Sequence, residues 1–414
     1  MSHSTSSPRI AIVGGGPAGL TLGVLLHKRG VPFTIYEFRQ KPTDEELSKP
    51  SGMLDLHEES GLAAIRQCDL WDQFLPLTKD CADSMRIIDK HDNVLHQDYG
   101  EAEYRPEISR HSLVSLLMSA LPPDSIKWGW KLVCCSENQE GQVTLDFGPD
   151  KGTQIHDLVI GADGAWSKVR NLLTNVKPRY AGIQYLSLTI VDVTTKHPDI
   201  AQYLGDGTAF VLGDRHGVSA QRAAQNSSNL YVFVSSEQET SDWVGQTPTQ
   251  IRDSLLEDNG PLSTWGSKMK EYLSRACEEE AARNPGPADV RPLYMFAVGH
   301  RWESKPNITL VGDAAHLMTP FAGEGVNLAM WDSLDLANAI ITAHLKSAGD
   351  AATFRKVVAP ILREFDEAMF ARSEEKARGT DDNRKLIFSE NGARGMADLM
   401  KSFQPPGDQQ VAGA

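Results

Sequence analysis

The sequence predicts an α/β fold in which a Rossmann-like nucleotide domain is interrupted by a β-sheet-rich domain and braced by a long C-terminal helix. Three observations carry this. A glycine-rich turn, Gly14-Gly15-Gly16-Pro17-Ala18-Gly19, stands between an apolar strand and an apolar-rich helix. Two later apolar runs, 158–160 and 308–311, end in acidic turns at Asp163 and Asp313. Between them, residues 180–236 alternate short apolar runs with Gly, Asp and Asn, the pattern of an antiparallel sheet.

Taken in order, residues 9–13 form the first strand. Leu20, Leu22, Val24, Leu25 and Leu26 continue a helix that stops at Gly30, a natural C-terminal cap. Residues 31–37 form the second strand, completing the βαβ unit that a dinucleotide turn requires. Residues 41–50, polar with two prolines, read as a loop. Residues 58–66 and 112–121 read as helices with Leu or Ala on one face. The stretch 128–161 turns strand-like, with turn chemistry at 138–141 and alternation over 142–147. Strands are expected at 183–193, 209–212 and 229–234, and helices at 249–257 and 268–282. Asn284-Pro285-Gly286-Pro287 then breaks the chain. Long amphipathic helices are expected at 328–345 and 354–378. Trp243, Trp265, Trp302 and Trp331 read as core aromatics. Residues 1–8 and 403–414 are expected as a disordered lead-in and tail.

The bulk composition narrows the function. With 414 residues, 40% hydrophobic and 23% charged, the chain can bury a sizeable core. A formal net charge of −14 argues against nucleic acid or an anionic membrane surface as the main partner. No apolar run reaches the length of about 18 residues that a membrane span needs, and residues 1–8 lack the apolar core of a signal peptide. The five cysteines, Cys68, Cys81, Cys134, Cys135 and Cys277, show neither C-x-x-C nor metal spacing. The expectation is a soluble cytoplasmic monomer with free thiols and no metal.

Gly14, Gly16 and Gly19 have separate jobs in such a turn: the tight bend, the backbone's approach to a pyrophosphate, and close helix–strand packing. Ala18 lies within the same turn. Glu37, at the end of the second strand, is placed to hold ribose hydroxyls and would repel a 2′-phosphate there. Far along the chain, Asp313 can accept hydrogen bonds from a polyol. The backbone N–H groups of Gly323, Glu324, Gly325 and Val326, at a helix start, can approach an electron-rich ring edge. Two nucleotide-handling loops roughly three hundred residues apart suggest one large cofactor gripped at both ends, and FAD is the expected cofactor. Asp163, in Gly161-Ala162-Asp163-Gly164-Ala165-Trp166-Ser167-Lys168-Val169-Arg170, reads by itself equally well as a helix N-cap.

These three motifs, in this order, resemble those of the group A flavoprotein monooxygenases with the para-hydroxybenzoate hydroxylase-like fold. The resemblance runs from about residue 9 to 400. It implies a Rossmann-like FAD-binding domain, a β-sheet-rich substrate domain and a long C-terminal bracing helix. Within that group the chain is most similar to the tetracycline-inactivating enzymes, through Gly52-Met53-Leu54-Asp55-Leu56-His57, Pro106-Glu107-Ile108-Ser109-Arg110 and residues 312–327. By that likeness Asp55 and Arg110 touch FAD, Asp163 serves FAD and the nicotinamide cofactor, and Asp313 holds the ribityl chain. NADPH or NADH reduces FAD, O2 adds as a flavin C4a-hydroperoxide, and the bound substrate is hydroxylated or epoxidised. The flavin carries the chemistry, so no catalytic side chain is expected, and Pro320 shapes the wall where oxygen reacts.

The resemblance does not transfer the substrate. Where tetracycline-inactivating enzymes present polar and cationic groups, this chain has Ile190, Phe210, Tyr231 and Phe233, with Arg215, His216 and Arg222 nearby. Together with Pro320 these four are the expected substrate contacts, and another fused-ring or aromatic compound is the expected substrate. Lys49 is a candidate for the nicotinamide cofactor, against a plain solvated lysine. His57 and His316 read better as packed or capping residues than as acid–base groups. Rival readings are a flavoprotein oxidase or dehydrogenase without oxygen insertion, and a non-catalytic FAD-binding protein. A halogenase would carry Trp-x-Trp-x-Ile-Pro, which Trp128-Gly129-Trp130 does not continue. The expected division is an FAD-binding domain of 9–75, 105–178 and 292–340, a substrate domain of 76–104 and 179–291, and C-terminal helices over 341–402.

Overall fold

The computed structural model describes residues 7–78, 84–99 and 105–403. Most of the expected lead-in and tail, and Cys81, lie outside the described residues.

The nucleotide sheet has five parallel strands, in spatial order Ile308–Leu310, Leu158–Gly161, Ile10–Val13, Thr34–Glu37 and Ile126–Trp128. The strands at 10–13, 158–161 and 308–310 are buried throughout, which is why they read as unbroken apolar runs rather than alternating ones. Helix α1 (Pro17–Lys28) follows the first strand and buries Leu20, Leu22, Val24 and Leu26. Gly30 stands just beyond it at φ +67°, a left-handed position that glycine takes without steric cost. Helix α2 (Arg110–Ser119) is capped by the Ser109 side chain, which accepts from the Ser112 N–H.

The second sheet forms a platform of seven strands, in order Asp289–Met295, Arg179–Ile190, Ser227–Ser235, His216–Ala223, Thr208–Gly213, Met85–Asp89 and Val94–Asp98. Helices α3 (Pro248–Leu256) and α4 (Ser267–Arg283) close a core over one face, with Leu186, Leu188, Ile190, Val218, Leu230 and Val232. On the other face, Ile87, Leu212 and Phe233 meet Ile387, Phe388 and Met396 from the C-terminal region. That region comprises α5 (Glu324–Lys346), α6 (Ala351–Ile387) and α7 (Gly392–Phe403).

Several expectations change. The strand at 289–295 pairs along its length with 179–187, so the boundary expected at 291/292 falls inside one platform strand. Residues 216–223 form a strand not anticipated from sequence, because Val218 and Ala220 are its main buried apolar residues amid Ser219, Gln221 and Arg222. The strand expected to reach residue 193 stops at Ile190, and Val193 begins a short helix. The helix expected at 58–66 opens with a π-helical turn, Glu58–Leu62, before Ala63–Gln67. Helix α6 runs to Ile387 rather than 378. Its polar last turns hold through Lys385–Asp381 and Arg384–Asp381 pairs and through Thr380 and Asn383 bonded to a neighbouring loop. Trp265 and Trp302 are buried, whereas Trp331 is half-buried under the Arg372 guanidinium, 4.5 Å from its ring centre.

Candidate cofactor and substrate cleft

The glycine turn shows why each glycine is there. A Cβ on Gly14 would lie 2.1 Å from the Ala162 carbonyl oxygen, and one on Gly19 would lie 2.0 Å from the Gly14 carbonyl oxygen. Both are close backbone approaches with no room for a side chain. Gly16 differs, since a Cβ there meets nothing within 4 Å. It faces open space at the start of α1, whose first N–H groups have no partner within the helix. Ala18 is buried near Gly312, and its carbonyl accepts the Ser333 hydroxyl of α5. Glu37 is buried, with Oε2 accepting from the Gly15 N–H at 2.6 Å and Oε1 from the Arg39 N–H at 2.9 Å.

At the end of the 158–161 strand, Asp163 Oδ2 accepts from the Lys168 N–H at 2.7 Å across a turn, but the helical turn Val169–Leu172 that follows has Lys168 at its N-cap, so Asp163 is not a helix cap. Its other oxygen, Oδ1, is buried without a hydrogen-bond partner. Burial pushes the carboxyl's pKa up, against the hydrogen bonds of the 163–169 turn. Arg170 ties this turn to the distant acidic loop by donating to the carbonyls of Ala165 and Ala314.

Asp313 is exposed to the cleft yet has protein packed densely around it. That burial raises its pKa, while the positive charges of His316 and Arg110 act in the opposite direction. The turn carrying Asp313 is fixed from behind. Asp332, fully buried, accepts from the Gly312 N–H at 3.1 Å, pairs with His316 Nε2 at 2.5 Å and receives Arg372 at 3.0 Å. Burial opposes charge on both His316 and Asp332. Their mutual attraction overcomes it, raising the imidazole's pKa and, with Arg372 and the Gly312 N–H, lowering the carboxyl's. His316 is thus buried behind the turn and bonded to Asp332.

Helix α5 starts from Gly323 at φ +67°. A Cβ on Gly323 would lie 3.0 Å from Asp55 Oδ1, whereas one on Gly325 meets open space. The N–H groups of Glu324, Gly325 and Val326 lead this helix with no side-chain cap. Asn327 links the cleft's two walls: Nδ2 donates to the carbonyls of Asp55 and Gly323, and Oδ1 accepts from the His57 N–H and the Ser60 hydroxyl. His57 is buried, with Nε2 2.9 Å from Asp55 Oδ2 and Nδ1 3.7 Å from Glu324 Oε2. The Glu324 carboxylate also receives Lys376 at 2.7 Å, so its side chain is committed to protein partners.

Arg110 is exposed and makes no ion pair among the described residues, and its charge acts on Asp313, Tyr185 and Tyr231. It thus connects the acidic loop with the platform. Tyr231 and Phe233 alternate with Leu230 and Val232, so they project from the cleft face, as does Phe210. Phe233 meets Phe321 edge-on at 5.3 Å, beside the exposed Pro320. A narrow crevice, partly open to solvent, lies among Phe210, Ser219, Phe233, Phe321 and Ile387. Ile190 does not join them. It is fully buried on the opposite face, in the core under α3 and α4, because it shares strand parity with Leu186 and Leu188. Lys49 is a surface residue 3.9 Å from Glu45, and His216 caps the Ser235 N–H within the platform.

These residues fit a dinucleotide cofactor. Open space at Gly16 and Gly325, the unpartnered Asp163 oxygen and the accessible Asp313 are what an extended ligand with a pyrophosphate and a polyol would use. Asn327, Asp332, Arg170, Arg372 and Lys376 escaped the sequence reading because their partners lie far away in the chain.

Residues 8–353 match a family model described as FAD binding domain. Monooxygenase penA of Penicillium thymicola is 33% identical, covering 96% of this chain and 99% of that protein. Monooxygenase asqM of Emericella nidulans is also 33% identical, covering 95% and 98%. The crystal structure of CtdE with FAD and its substrate 4 shares the fold, with a TM-score of 0.74, 17% identity and coverage of 94% of this chain and 92% of that one.

Proposed function

The chain belongs to the FAD-binding-domain family of flavin-dependent monooxygenases, and from that premise we propose that it uses NADPH or NADH and O2 to hydroxylate or epoxidise a fused-ring or aromatic small molecule. Bound FAD supplies the redox and oxygen-activating chemistry, and the protein supplies position, dryness and charge. We assign Gly14, Gly16, Ala18 and Gly19 to the pyrophosphate end, Glu37 to ribose hydroxyls, and Asp163 to the cofactor side of the cleft. Asp313 takes the ribityl chain, with Asp55 and Arg110 alongside, and the backbone from Gly323 to Val326 takes the ring end. A helix start stabilises negative charge on a reduced ring without reorganising when that charge appears.

One observation supports the substrate class above the rest: the aromatic face of the platform, Phe210, Tyr231 and Phe233 with Phe321, shares a cleft with Arg110 and Asp313. Aromatic walls stack planar rings, and Arg110 leaves room for one polar or anionic substituent. The crevice beside these rings has no room for a ligand of its own, so a fused-ring substrate would lie against them in the cofactor cleft. A panel of polycyclic aromatic and indole-type compounds, scored by stimulated NADPH and NADH consumption, tests this. Planar aromatics should stimulate consumption; stimulation confined to aliphatic compounds would overturn the substrate class.

A further inference from the structure

Helix α6 meets the 312–335 segment along one face. Arg372, Lys376, Thr380 and Asn383, spaced about one turn apart, bind Asp332 and Asp335, Glu324, the Thr319 carbonyl and the Phe321 carbonyl in turn. Three of these contacts fix backbone or a structural acid. The Lys376 contact is different in kind, because its partner begins the helix that faces the ring end of the cleft.

Four titratable groups lie in a row there: Lys376 Nζ is 2.7 Å from Glu324 Oε1, Glu324 Oε2 is 3.7 Å from His57 Nδ1, and His57 Nε2 is 2.9 Å from Asp55 Oδ2. Glu324 is mostly buried, with 14% of its side chain exposed. The positive pole of a helix start corresponds to about half an elementary charge. A full carboxylate charge in its first turn would more than cancel that pole, and Asp55 adds a second negative charge beside Gly323. An ammonium on Glu324 restores the balance.

We propose that Lys376 is a positioning residue of the flavin site: it neutralises Glu324, so that the N-terminal field of α5 remains available to the reduced cofactor. This rests on the reading of residues 323–326 as the ring end. The consequence is a preference for reduced over oxidised flavin set partly by α6, through a residue 52 positions beyond Glu324. Glu324 and Lys376 are then a coupled pair whose individual removal shifts that preference in opposite directions.

The test measures the midpoint potential of FAD in the holoenzyme by dye equilibration, with FAD stoichiometry and melting temperature in parallel. Lys376→Met should disfavour the reduced flavin about tenfold relative to the oxidised, a fall of about 30 mV for a two-electron couple. Glu324→Gln, leaving the ammonium, should shift the potential upward. The double variant should return towards the parent value. An unchanged potential in either single variant with FAD bound overturns the proposal, as does a Lys376→Met shift that persists undiminished beside Glu324→Gln. If Lys376→Met does not hold FAD, the Glu324→Gln variant and the double variant decide alone. Gly325→Ala separates this from the underlying reading, since its methyl enters open space at the first turn of α5. A silent Gly325→Ala, with unchanged flavin absorption and affinity, would sink the ring-end assignment. An altered flavin spectrum there, with silent charge variants, would sink only the role of Lys376.

Discussion

Gly16 and Gly19 belong to one turn and share a residue type, yet they should fail differently. Gly19→Ala puts a methyl 2.0 Å from a backbone carbonyl, so α1 must move off the first strand and folding itself should suffer. Gly16 sits at φ −79°, which alanine adopts freely, and its methyl meets only open space. Gly16→Ala should therefore keep the apoprotein's melting temperature while weakening FAD at least about tenfold, as measured by fluorescence titration. Asp313→Ala should likewise fold but purify with little yellow colour. A hydrogen bond to a charged group is worth about 1.5–3 kcal/mol, or roughly ten- to a hundredfold in affinity. Full flavin absorbance in Asp313→Ala would contradict its assignment to the ribityl chain. Both positions can be proposed from sequence because the chemistry argued for them is local. Ile190 was misjudged at the same scale, since one residue of strand parity decides between the cleft and the opposite core.

Between elements, the His316–Asp332–Arg372 group holds the Asp313 turn against α5 and α6. Its charges give a signed pH dependence. The raised pKa of His316 means that its contribution is full below the ordinary imidazole value of 6.5 and is lost as pH rises through the raised value. The lowered pKa of Asp332 means that its contribution is full above 3.8 and is lost only as pH falls below that. Melting temperature and FAD retention should therefore decline together on the alkaline side of the raised imidazole value. His316→Gln, measured by thermal melts across pH, should flatten that decline, and an unchanged alkaline slope would remove the brace from the account. Sequence alone could not reveal this group, because Arg372 lies forty residues beyond Asp332 on a different helix. The same limit hid the end of α6. Its final turns look too polar to persist, and they persist through contacts with the 319–321 loop.

For the molecule as a whole, two sheets and a long helix meet around one cleft. The nucleotide sheet was readable because strands buried on both faces leave continuous apolar runs, and its turns carry glycine and aspartate at their ends. The platform was readable as antiparallel sheet but not in full, since a strand such as His216–Ala223 has few apolar residues to announce it. Fold and cofactor class thus follow from local chemistry. Which side chains of distant strands face the same space emerges only once the sheets are assembled. Under the proposed function, this cleft couples nicotinamide oxidation to oxygen insertion into an aromatic substrate. The most direct measurement runs the holoenzyme under 18O2 with NADPH or NADH and a stimulating substrate. One 18O atom should appear in the product per nicotinamide oxidised, the second oxygen leaving as water. Nicotinamide consumption that yields only hydrogen peroxide, with every stimulating substrate recovered unlabelled, would contradict the claim and leave an oxidase in its place.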